Sequence, residues 1–95
     1  MIRAIRYRDH RDFREKAHKG AIFFDVTRDP MAMLFLCPCG CGAYSRITVV
    51  KDAEPDAPAF WAWNGSLNDP TLASPMHVTS CGWRGWLRNG YWEAA

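Results

Sequence analysis

Apolar and polar residues alternate over short stretches through most of this chain, and only one segment carries a helical pattern. Residues 21–26 and 31–36 are apolar, β-prone runs separated by Thr27-Arg28-Asp29-Pro30, which has the chemistry of a turn. They predict an antiparallel hairpin whose second strand leads directly into Cys37. Residues 44–50 alternate again, with Tyr44, Arg46, Thr48 and Val50 opposite Ser45, Ile47 and Val49, and predict a third strand. Residues 51–58 hold two prolines and three acids and read as a loop. Phe60-Trp61-Ala62-Trp63 then reads as a strand with both tryptophans on one face, closed by the turn signal Asn64-Gly65. Irregular backbone is expected over 66–75, and a short strand over 77–80 that delivers Cys81.

The last hairpin has the strongest local signal. Asn89-Gly90 suits a two-residue type I′ turn, because both positions require positive φ. That turn pairs Arg88 with Tyr91, Leu87 with Trp92 and Trp86 with Glu93. Gly85, Leu87, Trp92 and Ala94 then share a core face, and Arg84, Trp86, Arg88, Tyr91 and Glu93 share the other. At the opposite end, residues 2–7 read as a short edge strand. Asp9 is positioned to cap a helix over 10–19, with Gly20 just beyond its end. His10, Phe13 and Ala17 make a thin apolar stripe, which predicts a helix lying on the surface.

These elements define an α+β, mostly β chain: a small antiparallel zinc-ribbon-like domain with one short N-terminal surface helix. Its expected organisation is a single domain, with a basic strand and helix over 1–20 and a β-rich metal-binding core over 21–95. Ninety-five residues bury a modest core, so a metal or a disulfide would be a material part of the stability. Charge changes the picture little, since the formal net charge is +2. It is unevenly spread, with seven Arg/Lys against three Asp/Glu in residues 1–20. The N-terminus is charged from its third residue, and no apolar run approaches the roughly 20 residues that span a bilayer. A cytoplasmic location is the expectation, in the host cytoplasm if the chain is phage-encoded. In a reducing compartment clustered cysteines serve as metal ligands more often than as disulfides.

The cysteines are the main candidate chemistry. Cys37, Cys39 and Cys41 alternate with Pro38, Gly40 and Gly42, and Cys81 lies far downstream. Proline fixes φ and glycine reaches positive φ, so this loop can curl and turn its sulfurs inward. Structural Zn²⁺ takes four soft ligands in a tetrahedron, and Cys37, Cys39, Cys41 and Cys81 supply four, with His77 as an alternative ligand. A closed set of four leaves no open position for hydrolytic metal chemistry. Arg84 and Arg46 are placed in sequence to offset the negative charge of a tetrathiolate.

Four segments together resemble a domain-of-unknown-function family of small phage and prophage proteins: Cys39-Gly40-Cys41, Trp61-Ala62-Trp63-Asn64-Gly65, Pro70-Thr71-Leu72, and the run from Cys81-Gly82-Trp83 to Asn89-Gly90. Genome records often label such proteins ammonia monooxygenase, a label that their length makes implausible. The resemblance implies a metal-stapled phage-type protein and carries no activity with it. Two departures from the family pattern stand out. The family has His three residues after its last cysteine, where this chain has Arg84, and it has Pro-Ser where this chain has Ser74-Pro75.

Three functional classes follow. The first is a non-enzymatic, zinc-stabilised protein-interaction module that binds through Arg84, Trp86, Arg88 and Tyr91, its partner a protein of a bacterial host if the origin is a phage. Cation–π packing of those side chains on one another is the alternative account of the same face. The second is a nucleic-acid binder that uses Arg3, Arg6, Arg8, Arg11 and Arg14 on phosphates and exposed aromatic rings on bases. An enzyme comes third. His10, His18 and His77 are scattered, Ser45, Ser66, Ser74 and Ser80 lack a nucleophile motif, and no C-x-x-C pair is present.

Overall fold

Local pattern and long-range pairing agree over most of the chain in the computed structural model, which describes residues 2–28, 30–51 and 61–95. Nine strands and one helix follow in the order β1 (Ile2–Arg3), β2 (Arg6–Tyr7), α1 (His10–Lys16), β3 (Ile22–Asp25), β4 (Ala32–Leu36), β5 (Tyr44–Lys51), β6 (Trp61–Trp63), β7 (Met76–Val78), β8 (Trp83–Arg88) and β9 (Tyr91–Ala94) among the described residues. They form two sheets, a larger one in the order β2-β3-β4-β5-β6 and a smaller one in the order β1-β9-β8-β7. The fold is mostly β with one short helix, as the alternation predicts. Of the loop expected over 51–58, Lys51 belongs to β5, and residues 52–60, including Phe60, lie outside the described residues.

Both hairpins read from the sequence form. β3 and β4 are antiparallel with Phe24 opposite Met33, and β4 and β5 are antiparallel with Leu36 opposite Tyr44. β8 and β9 pair in the expected register, Arg88 with Tyr91 and Leu87 with Trp92. Asn89 and Gly90 take φ of 51° and 79°, the double positive that a I′ turn demands.

Residues 2–7 do not form one strand. Ile2 and Arg3 pair antiparallel with β9 in the small sheet, while Arg6 and Tyr7 pair parallel with β3 in the large one. Between them Ala4 is completely buried, its N–H donating to the Gly90 carbonyl at 2.7 Å, and the Ile5 carbonyl accepts from Ile22 N–H at 2.9 Å. This crossing point ties the two sheets together.

Parallel pairing of β2 with β3 requires a crossover, and α1 supplies it. Asp9 caps the helix as predicted, its carboxylate accepting from the Arg11 and Asp12 N–H groups. The helix ends at Lys16 rather than Lys19, because Ala17 turns extended with ψ 138° to bring the chain back toward β3. Phe13 is fully buried and meets Tyr44 edge-on at 5.6 Å between ring centroids. Gly20 has φ 82°, and a side chain there would collide with the Trp92 ring.

The two sheets face each other across a core built from Ile22, Met33, Phe35, Val49, Leu87 and Trp92. Trp92 lies at its centre, 5.1 Å from Phe35 and 5.7 Å from Trp83 between ring centroids. Its indole N–H donates to the Gly20 carbonyl at 2.7 Å, so the one polar atom of this buried ring is satisfied. No helix among the described residues is long and apolar enough to cross a membrane.

Candidate metal centre

The ends of β4 and β7 carry the cysteines to one corner, where the turn chemistry does the local work. Beyond β4, Cys37 N–H donates to the Ala43 carbonyl at 2.9 Å, and Gly40 N–H donates to the Cys37 carbonyl at 3.1 Å. Gly40 and Gly42 both sit at positive φ, 87° and 84°, which curls the loop as the alternating cysteines and glycines predict. On the other sheet the β7–β8 turn is closed by Gly82 N–H on the Val78 carbonyl at 2.8 Å, with Gly82 at φ 78°. This turn holds Cys81 over the loop.

All four sulfurs lie within 4.8 Å of one another. Cys37 Sγ is 3.2 Å from Cys39 Sγ and 3.3 Å from Cys81 Sγ, and Cys39 and Cys81 are 3.4 Å apart. A disulfide needs about 2.05 Å, and all four thiols are free. A tetrahedron with metal–sulfur bonds of about 2.3 Å has edges of roughly 3.8 Å, close to the spacings found. The donor set therefore fits a metal ion. Four cysteines clustered at metal-binding distance in a small domain are consistent with structural zinc and compatible with a zinc ribbon. An ion held there would join the β4–β5 loop of one sheet to the β7–β8 turn of the other.

Burial divides the four. Cys37 is completely buried while Cys39, Cys41 and Cys81 are exposed. Desolvation pushes the Cys37 thiol well above its ordinary range. Cys81 moves the other way, to about 7, chiefly through the hydrogen bond from the Trp83 backbone N–H and then through the Cys37 thiol. The cation beside the loop is Lys19, whose Cδ would touch a side chain at Gly40, 3.6 Å from its Cβ position. This contact has no sequence signal, since Lys19 reads as the end of a surface helix.

The other predicted residues go elsewhere. His77 is exposed in β7 opposite Arg84 and is not among the four clustered ligands. On the outer face of the small sheet, the Arg88 guanidinium lies over Trp86 at 4.3 Å and pairs with Glu93 at 3.3 Å, and Arg3 covers Tyr91 at 5.2 Å. Self-packing thus engages three of the four residues read as a partner face, and Arg84 makes no ion pair among the described residues. Of the N-terminal arginines, Arg3 pairs with Asp69 at 2.8 Å, Arg6 reaches the Asn68 side chain at 3.4 Å and Arg11 pairs with Glu15 at 3.4 Å. Arg14 covers Tyr44 at 5.8 Å, and Arg8 is exposed.

Two concave surfaces flank β7. A groove of about 360 Å³ is lined by Pro75, Met76, His77, Arg84, Gly85 and Trp86. A second cleft of about 340 Å³ lies between β5 and β7 and includes Ser45, Arg46, Trp61, His77 and Ser80. Ser66 is committed to its loop, where its hydroxyl accepts from Asp69 N–H at 2.9 Å. His10 packs its ring against Phe23 at 5.2 Å. Ser45, Ser66 and Ser80 make no hydrogen bond to a histidine ring among the described residues.

Corner and sheets together define a small, two-sheet β domain with a four-cysteine cluster able to hold a metal ion. A family model described as "Bacterial ubiquitination-like system serine protease (BubE)" matches residues 9–95, and the chain belongs to that family. No curated protein and no solved structure matches it.

Proposed function

We propose that this chain is a binding member of its serine protease family: a zinc-stapled domain that holds a protein of a bacterial ubiquitination-like system without cleaving it. One observation carries the reading. Pro75, His77, Arg84 and Trp86 line one groove, whose lining among the described residues includes no serine. A serine nucleophile needs a hydroxyl and a base within hydrogen-bond reach. The groove has instead a proline ring, a permanently charged guanidinium, the exposed His77 and the face of Trp86. Proline offers no nucleophile, and a guanidinium accepts no proton. What remains suits a partner's backbone along the edge strand β7, with an acidic group on Arg84 and an apolar one on Trp86.

The test pairs a chemical probe with a capture. A fluorophosphonate, which labels activated serines, leaves the wild-type chain unmodified. Immobilised chain retains a component of a bacterial ubiquitination-like system, and R84E with W86A abolishes retention at unchanged metal content. Labelling of any serine sinks the non-catalytic reading. Retention that survives the double variant removes the groove from it.

A second reading keeps the hydrolysis that the family description prints. Its support is the cleft between β5 and β7, which His77 lines together with Ser45 and Ser80. Covalent labelling of Ser45 or Ser80, lost in H77A, selects it. Nucleic-acid binding is left with Arg8 as its exposed arginine free of the pairings above, and affinity that collapses between low and moderate salt would favour it.

A further inference from the structure

We infer that Cys39 and Cys81 form a site of oxidative modification, at which a hydroperoxide converts the metal-held tie between the two sheets into a disulfide. The inference rests on the metal-centre reading. Structural ligands are usually enclosed, yet among these four only Cys37 is a buried residue, and Cys39, Cys41 and Cys81 are exposed residues. Cys39 and Cys81 are the exposed pair whose sulfurs stand 3.4 Å apart, and they come from different sheets. Closing that gap to a disulfide needs a movement of about 1.3 Å. Oxidation of cysteine selects accessible sulfurs with thiolate character, which metal ligation would supply.

The chemistry balances with hydrogen peroxide as the oxidant. Cys81 thiolate attacks one peroxide oxygen, so an S–O bond forms, the O–O bond breaks and hydroxide leaves. Cys39 thiolate then attacks the Cys81 sulfenic sulfur, so the S–S bond forms, the S–O bond breaks and a second hydroxide leaves. Two thiolates have lost two electrons in total, and peroxide has gained them. Cys37 and Cys41 are then too few to hold an ion, which departs, while the new bond keeps the β4–β5 loop attached to the β7–β8 turn. The oxidised protein is therefore metal-free and folded, with its two sheets still joined at the corner.

Trypsin reads the outcome, because residues 29–46 carry three cysteines on one peptide and residues 52–84 carry Cys81 on another. Metal content is measured first, then peroxide is added and released metal is followed with a chromogenic chelator. Stoichiometric release together with a 29–46 to 52–84 cross-link, localised to Cys39 and separated by dithiothreitol, is the expected result. Release with a disulfide confined to 29–46, sulfinic acid on Cys81, or retention of metal under excess peroxide overturns the inference. Protein isolated without metal would instead remove the metal-centre reading. The cross-link is still scored on that material, so the two ideas fail separately.

Discussion

The centre of this molecule and its cysteine corner are held by opposite means. Around Trp92, apolar rings from both sheets interlock, and the ring itself is 1% exposed. At the corner two glycine-bearing turns meet through sulfur, and three of the four cysteines are exposed residues. Hydrophobic contact is graded and tolerant of loss, since each residue contributes a share in proportion to the area it removes from water. Ligation is close to all-or-none, because a tetrahedral site with a missing ligand loses most of its affinity. Stability at the centre is therefore lost in increments, whereas at the corner it is lost in one step, together with the tie between the two sheets.

The largest effect expected is at the corner. Cys37→Ser, or chelation of the reduced protein, removes the metal together with on the order of 5 kcal/mol of folding free energy, and lowers the melting temperature by roughly 20 °C or more. A scan with parallel metal analysis measures both, and an unchanged melt in chelator breaks the contrast. Trp92→Ala comes next, costing about 3–5 kcal/mol by denaturant titration through the cavity it leaves. It retains full metal stoichiometry in the fraction that stays folded, which separates core from corner. Gly85→Ala is smaller, about 1–3 kcal/mol, because a Cβ there runs into the Glu93 carbonyl oxygen and the Trp83 ring.

Acid offers a finer test of the corner. The folded-state Cys81 value of about 7 lies below the ordinary thiol value, so its thiolate favours the metal-free fold at high pH and that contribution is lost as pH falls through about 7. Burial acts on Cys37 in the reverse sense, so its contribution is present below the ordinary thiol range and is lost as pH rises above it. Thiolate absorbance of the metal-free protein should thus show an early step near pH 7 that Cys81→Ser deletes. Metal affinity rises with pH because ligands must shed protons. At the small end of the scale, Arg11→Ala removes an exposed helix pair with Glu15 and changes stability by less than about 0.5 kcal/mol.

The partner face shows how far side-chain chemistry alone can be read. The sequence places Arg88 and Trp86 two apart on a strand and Glu93 across the turn, and the same alternation that exposes them also lets them satisfy one another. Arg3 is a more distant case. Its guanidinium hydrogen-bonds the Asn68 carbonyl at 2.9 Å and stacks on Tyr91, contacts that no reading of residues 1–20 as a separate basic arm anticipates. The groove beside β7 has no local signal either, since it exists only because β7 is an edge strand and β8 lies next to it.

What the sequence determined by itself is whatever depends on neighbours within a few residues. The Asn89-Gly90 turn set the register of β8 and β9, Asp9 began the helix, and the Pro/Gly spacing curled the cysteine loop, because φ preferences and strand alternation are short-range properties. Tertiary structure decided where those pieces went. Residues 2–7 were divided between two sheets at buried Ala4, the helix was cut at Lys16 to serve a parallel crossover, and Cys81 was carried to Cys37 across 44 positions. Each of these choices satisfies backbone groups or buries apolar surface against residues remote in the chain, and no local pattern records which remote segment will supply them.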